Sequence, residues 1–505
     1  MSPGIVQYAW CFVVAILCGR SLLLDVPDKW KITLVAAPAA AVLALAVGRP
    51  KRILLLLIAF TVPFYWGKAL AIRPEHISYI TGVGINLSDV LALTLLLILL
   101  GKLSRRQAKI SPFSLITVPA LAWLVASSFS LLAAKDGDLA LFQLVAMVKL
   151  LLLCWVVASS IGNDVDLTIV ITGLMLGMVF QALVGVYQGV TGHPLGLDFL
   201  VETAGIHKQQ LGVGLVSRVQ GTLGSPNTLA IYLSTGVPFA LALLFSKTRP
   251  SVKILATITL CLIGSALIFS LSRAAWGDFL VTICLVLVLA VRRTRISTKA
   301  AIVIAGATAL VLLGVALFGT DLILSRLTGD DQGSASSRIT LAEGALAIMR
   351  DNPVIGIGLN NYTLVSPGYD QADAAAWNYY APIVHNAFLL IAAETGLLGL
   401  GAFVVFLVIL LIQAWRIVDQ APSDTVWVAG VGILGGLAAL VIHSMVDYTL
   451  LGSGRVFTQF WLLAGLCAAL MQRVDHERQD IRRAPYSSNT MTWGLRLSEK
   501  DIHSK

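Results

Sequence analysis

Charge is what this 505-residue sequence has least of: 12% of its residues are Asp, Glu, Lys or Arg, against roughly a quarter in an ordinary soluble domain. With 57% of the chain hydrophobic, a water-soluble fold is excluded. Cysteine is also sparse. The six cysteines, Cys11, Cys18, Cys154, Cys261, Cys284 and Cys467, fall inside apolar runs with no CxxC spacing, so they read as buried hydrophobes rather than disulfides or zinc ligands. Acidic pairs are equally few. Asp330-Asp331 stands among Gly and Ser residues, a solvated turn rather than a metal site, and no metal or cofactor is expected. No internal repeat is visible, which counts against transporters built from duplicated halves. The first apolar run, residues 5–19, has no basic leader and is followed by many more, so it reads as a first helix and not a signal peptide.

Long apolar runs are abundant. A membrane span needs roughly 20 apolar residues, and such runs recur at 5–24, 32–48, 53–72, 86–101, 113–134, 140–160, 167–190, 227–246, 254–271, 275–291, 300–319, 387–415, 426–450 and 457–472. The expected fold is an all-α polytopic membrane protein with 12–14 transmembrane helices. Residues 1–472 form one membrane domain, and the polar stretch 473–505 reads as a disordered tail.

The net charge of +9 comes from Lys and Arg in short loops, so it reports topology rather than affinity for nucleic acid. Arg49 to Arg52, the cluster from Lys102 to Lys109, Lys247 to Lys253, Arg292 to Arg295 and the basic tail all fall on one side of the bilayer. The positive-inside rule makes that side cytoplasmic, together with both termini. The loops 191–226, 272–275 and 320–384 then face outward.

The loop 320–384 far exceeds the usual length of about 12 to 15 residues and is expected to be functional. Ser337 caps a predicted helix from Arg338 to Met349, with Ile339, Ala342, Leu346 and Met349 on one face. Asp351-Asn352-Pro353 ends it, and Gly356 and Gly358 turn the chain. Asn386 is a predicted N-cap for the next span. Its dipole disfavours imidazolium at His385, leaving a neutral histidine able to accept a proton; a surface histidine at the membrane interface is the simpler reading.

Ser225 and Pro226 signal another helix start, with Arg218 upstream either at an anion site or on lipid headgroups. Arg273 sits in a very short link, where a charge costs about 2.5 to 3.5 kcal/mol at the bilayer centre and less near the interface. It therefore meets an anion or pairs with Asp278. Arg338 adds a third cation on this side. Lys68, Lys149 and Glu394 are read as snorkelling or paired. His443 and Asp447, spaced i and i+4, are placed on one helix face.

The order of Arg218-x-x-Gly221 with Pro226-Asn227, then Ser272-Arg273, Ser337-Arg338, Asn352-Pro353-x-x-Gly356-x-Gly358, His385-Asn386 and Glu394-x-Gly396-x-x-Gly399 resembles the O-antigen ligase and polymerase superfamily across roughly residues 210–450. The resemblance implies a membrane glycosyltransferase of the C-type class in a bacterial inner membrane, with undecaprenyl-diphosphate-linked glycan as donor and no metal. By that likeness Arg218 and Arg273 bind the diphosphate and His385 is the general base. Arg338 matches a recurrent arginine, and Asp447 and Asn386 are placed to orient the base or the acceptor. The acceptor is a glycolipid, a glycan or a protein hydroxyl, so ligase, polymerase and protein O-glycosyltransferase stay open together. A lipid-linked glycan flippase or a non-catalytic scaffold is the alternative from another class.

Overall fold

The computed structural model describes residues 48–64, 66–73, 79–105, 115–196, 207–211, 214–293, 334–369, 383–452 and 454–483. Its elements in chain order are α1 (Pro50–Thr61), β1 (Gly67–Ile72), β2 (Gly82–Asn86), α2 (Leu87–Ser104), α3 (Thr117–Ser128), α4 (Gly137–Ser160) and α5 (Asp164–Thr191). There follow β3 (His207–Leu211), β4 (Gly214–Arg218), α6 (Pro226–Ser234), α7 (Val237–Phe245), α8 (Pro250–Ser270), α9 (Arg273–Arg293) and α10 (Ser334–Asp351). The last are α11 (Tyr362–Val365), α12 (Ala387–Asp419), α13 (Asp424–Ser444), α14 (Thr449–Gly452) and α15 (Gly454–Arg483).

Among the described residues nine helices are long and apolar enough to cross a membrane, with α6 and α7 counted together. The all-α polytopic class is therefore observed. The expected spans 5–24 and 300–319 lie outside the described residues, as do 32–48 apart from its last residue and the Asp330-Asp331 turn.

Three spans differ from expectation. The run 53–72 is helical only to Thr61 and then becomes β1, which pairs antiparallel with β2. The cause is glycine: a Cβ on Gly67 would stand 2.2 Å from Asn86 Oδ1, so only glycine lets the two strands approach here. The run 227–246 is one buried rod broken at Thr235-Gly236, where Pro238 opens α7. The run 426–450 ends its helix at Ser444, and a turn at 445–446 followed by two irregular residues leads to α14.

One end of the bundle is basic and tied together by ion pairs. Lys51 and Arg52 meet the buried Asp166 at 2.5 and 3.0 Å, Arg473 meets Asp164 at 2.5 Å, and Arg293 meets Asp424 at 3.3 Å. Ser423 Oγ donates to Asp164 across 3.0 Å, so helices α1, α5, α13 and α15 share this end. Between the two ends the bundle is filled by aromatic rings. Trp123 stacks on Trp461 at 6.0 Å, with Phe403, Phe406 and Phe457 around them; such pairs add about 0.5 to 1.5 kcal/mol each.

Helix α10 begins at Ser334, three residues before the expected cap at Ser337. Its buried stripe is Leu341, Ala345 and Ile348, while Ile339 is 63% exposed. The expected face of Ile339, Ala342, Leu346 and Met349 is thus rotated. The sequence offers apolar residues almost all round this helix, and packing against α12 selects the face.

Candidate functional site

At the end opposite the ion-paired basic residues, loop 219–224 is built by two glutamines of α5. Gln188 Oε1 accepts from the Gln220 and Gly221 amides at 3.1 and 2.8 Å, and its Nε2 donates to Gly221 O at 2.9 Å. One turn-pair away, Gln181 accepts from Thr222 N at 2.9 Å and donates to Thr222 Oγ at 2.6 Å. Gly221 has φ +59°, and a Cβ there would stand 2.5 Å from Gln181 Oε1. The polar loop is therefore recessed into the bundle with its amides satisfied.

This recess fixes Arg218. The residue is 8% exposed; Nε donates to Ser270 O at 2.9 Å and Nη2 to Asn227 Oδ1 at 3.1 Å. Asn227 lies in the first turn of α6 and passes the connection on, donating from Nδ2 to Asp447 Oδ2 at 2.9 Å. Asp447 is 3% exposed, and its other oxygen accepts from Thr449 N at 2.7 Å and from the Thr449 hydroxyl. His385 Nδ1 stands 4.0 Å from Asp447 Oδ2 with no hydrogen-bond partner among the described residues.

Asn386 brings the two partners together. Its side chain caps α12, accepting from Phe388 N and Leu389 N at 2.9 and 3.0 Å, and donates from Nδ2 to Met445 O at 2.9 Å. That bond draws the turn carrying Asp447 against the start of α12. Asn386 is thus engaged as cap and staple.

Burial lowers the His385 pKa, the Asp447 charge raises it and the Arg338 charge lowers it; the net direction is down. The imidazole is accordingly neutral at neutral pH. Tyr448, whose ring lies 5.6 Å from His385, is pushed up to about 12 by burial and by Asp447, so it stays a neutral hydroxyl donor. Arg273 opens α9 and Arg338 lies on α10, both half-buried.

The i, i+4 reading of His443 and Asp447 needs correction, because α13 ends between them. His443 Nδ1 lies 2.6 Å from Asp278 Oδ2, both at or below 1% exposure. Asp278 is therefore occupied by His443, the partner that the short link around Arg273 had left open.

Residues 257–404 match the family model described as O-antigen ligase. The match supports a place in the O-antigen ligase and polymerase superfamily. No curated protein matches the chain. The ligase-type region contains Arg273, Arg338 and His385 and ends beyond the glycine motif at Glu394, whereas Arg218, Asn227 and Asp447 lie outside it.

Within that region the two glycine motifs grip one another. The amides of Ile357 and Gly358 donate to the carbonyls of Ala393 and Glu394 at 3.1 and 2.9 Å, and Leu397 N donates to Pro353 O at 2.8 Å. Gly356 at φ +68° and Gly396 at φ +64° permit this crossing, and a Cβ on either would stand 2.2 to 2.4 Å from opposing backbone. Glu394 is buried at the crossing, accepting from Tyr79 Oη at 2.6 Å and Tyr362 N at 3.2 Å. It is paired, as its sequence position suggested, but with a tyrosine and an amide rather than a cation. The ligase-type motif is thus a clamp that ties residues 353–358 to α12, the helix that follows His385.

A cavity of about 540 Å³ opens beside His385 and Asp447, walled by the β1–β2 hairpin, α4, α6 and α15. Ser225 lines it and makes no capping bond to α6, although the helix starts at Pro226 as expected. Lys68, Lys149 and Arg455 also line it. Arg455 and Thr449 carry no sequence signal, since a single Arg at a helix start and a Thr in a turn are common surface residues. Lys149 is paired as expected, its Nζ 2.6 Å from Asp89. Among the described residues no group of three or more His, Cys, Asp and Glu is arranged to hold a metal ion.

Proposed function

We propose that this protein is a membrane glycosyltransferase that moves a glycan from undecaprenyl diphosphate to an acceptor hydroxyl outside the cytoplasm. The observation that carries the reading is the connected line Arg218–Asn227–Asp447–His385, which joins a cation to a neutral histidine at the mouth of a cavity. By the positive-inside rule the ion-paired basic end faces the cytoplasm of a bacterial inner membrane, and His385 then faces outward.

In this reading His385 takes the proton of the acceptor hydroxyl, and the oxygen attacks the anomeric carbon as the bond to the diphosphate breaks. General-base assistance is worth about 10² to 10⁴ in rate. Asp447 stabilises the imidazolium that forms. The departing diphosphate carries the electron pair away and is met by Arg218, Arg273 and Arg338, each charged bond contributing about 1.5 to 3 kcal/mol. Arg218 is the most preset of the three because Ser270 and Asn227 hold its fork. One displacement inverts the anomeric centre, and no second carboxylate is required.

A flippase would instead place its polar residues near mid-bundle, and these residues sit at helix ends. The test is a deletion strain complemented with wild type, His385→Ala or Arg218→Ala at matched membrane levels. Accumulated lipid-linked glycan with His385→Ala supports the transferase, and the glycan ladder on gels separates ligation from polymerisation. Full transfer by His385→Ala overturns it.

A further inference from the structure

The cavity beside His385 has a chemistry of its own. Three cations line it, Lys68 from β1, Lys149 from α4 and Arg455 from α15, against a single carboxylate, Asp447, which already serves Asn227 and Thr449. None of the three lies in the ligase-type region 257–404. Lys149 is fixed by Asp89 and by Gly84 O at 2.7 Å, which presses the ammonium group against the hairpin wall. Arg455 is 9% exposed, and its Nη1 donates to Leu223 O at 3.0 Å, so its guanidinium is held at the junction of loop and cavity.

The remaining lining is suited to a sugar. Thr228, Thr449 and Thr458 present hydroxyls, Asn86 an amide, and Tyr79 and Phe142 rings against which the C–H face of a pyranose packs. A volume of about 540 Å³ falls in the range of roughly 300 to 1,000 Å³ typical of small-molecule sites. Arg273 and Arg338, which are assigned to the leaving group, are absent from this lining.

We infer that this cavity is the acceptor subsite and that it takes a sugar carrying an anionic group, a phosphate or a carboxylate. The anion meets Lys68 and Arg455, and a free hydroxyl of the sugar is presented to His385. The assignment as acceptor subsite and the presentation of the hydroxyl rest on the proposed transferase with His385 as general base; the binding of an anionic sugar does not.

The experiment is binding of glucuronate, mannose 6-phosphate, glucose and mannose to the full chain in detergent, followed by saturation-transfer NMR and calorimetry. Anionic sugars are expected to bind about tenfold more tightly than their neutral counterparts. Lys68→Ala and Arg455→Gln each remove that preference, and Lys68→Arg and Arg455→Lys retain it. Equal binding of charged and neutral sugars, or no binding, overturns the subsite. Inorganic pyrophosphate displacing the sugars at lower concentration also overturns it, because the cavity then belongs to the donor. The two readings fail separately: the subsite by loss of sugar discrimination, the general base by transfer that survives His385→Ala.

Discussion

Asn227 donates from Nδ2 to Asp447 Oδ2 at 2.9 Å, and the same oxygen lies 4.0 Å from His385 Nδ1. Two residues 220 positions apart therefore share one task, to hold a carboxylate where an imidazolium would form. In the proposed mechanism Asp447→Asn lowers transfer by about 10- to 100-fold, the loss of one charge interaction of about 1.5 to 3 kcal/mol. Asn227→Leu gives a smaller loss, because the carboxylate remains but is less constrained. Initial rates in membranes at matched protein levels check both.

The pH dependence follows from the same geometry. His385 acts as base only when neutral, and burial holds its pKa below the usual value of about 6.5. Transfer should be fully present at neutral pH and fall as pH drops through that lowered midpoint. Asp447→Asn removes the influence that raises the pKa, so the midpoint moves further down. Arg338→Gln removes one that lowers it, so the midpoint moves up. Rate profiles between pH 4.5 and 8 (about the range over which histidine titrates) would show the two shifts in opposite directions; parallel shifts would sink the electrostatic assignment.

The clamp between the glycine motifs is a matter of backbone space. Gly356→Ala and Gly396→Ala place a Cβ within 2.4 Å of opposing backbone at a positive φ. Strain of about 1 to 3 kcal/mol per site is expected, seen as lower folded yield and a lower melting temperature in detergent. Gly344→Ala, interior to α10 and meeting nothing within 4 Å, is the control and should not destabilise, because alanine is favoured over glycine inside a helix.

Asp278 and His443 form a sealed pair inside the bundle, 2.6 Å apart. Removing one partner strands the other, so Asp278→Leu or His443→Leu alone should cost about 3 to 5 kcal/mol, while the double leucine variant recovers most of it. A double-mutant cycle on detergent denaturation measures the coupling, and additive single effects would refute it.

The sequence by itself settled the apolar runs, the basic loops that mark one end, the glycine turn at Gly356 and Gly358, the helix start at Pro226 and the cap at Asn386. Each of these is decided within a few residues, by hydrophobic length, by charge or by the conformations that Gly, Pro and Asn permit. Only the tertiary structure decided that His443 takes Asp278 and leaves Asp447 for Asn227, that the glycine motifs close on each other around Glu394, which face of α10 is buried, and that Lys68, Lys149 and Arg455 share a cavity with His385. Those partners come from helices far apart in the chain. Their pairing depends on which helix ends the packing brings to the same depth, and no local pattern of residues records that depth.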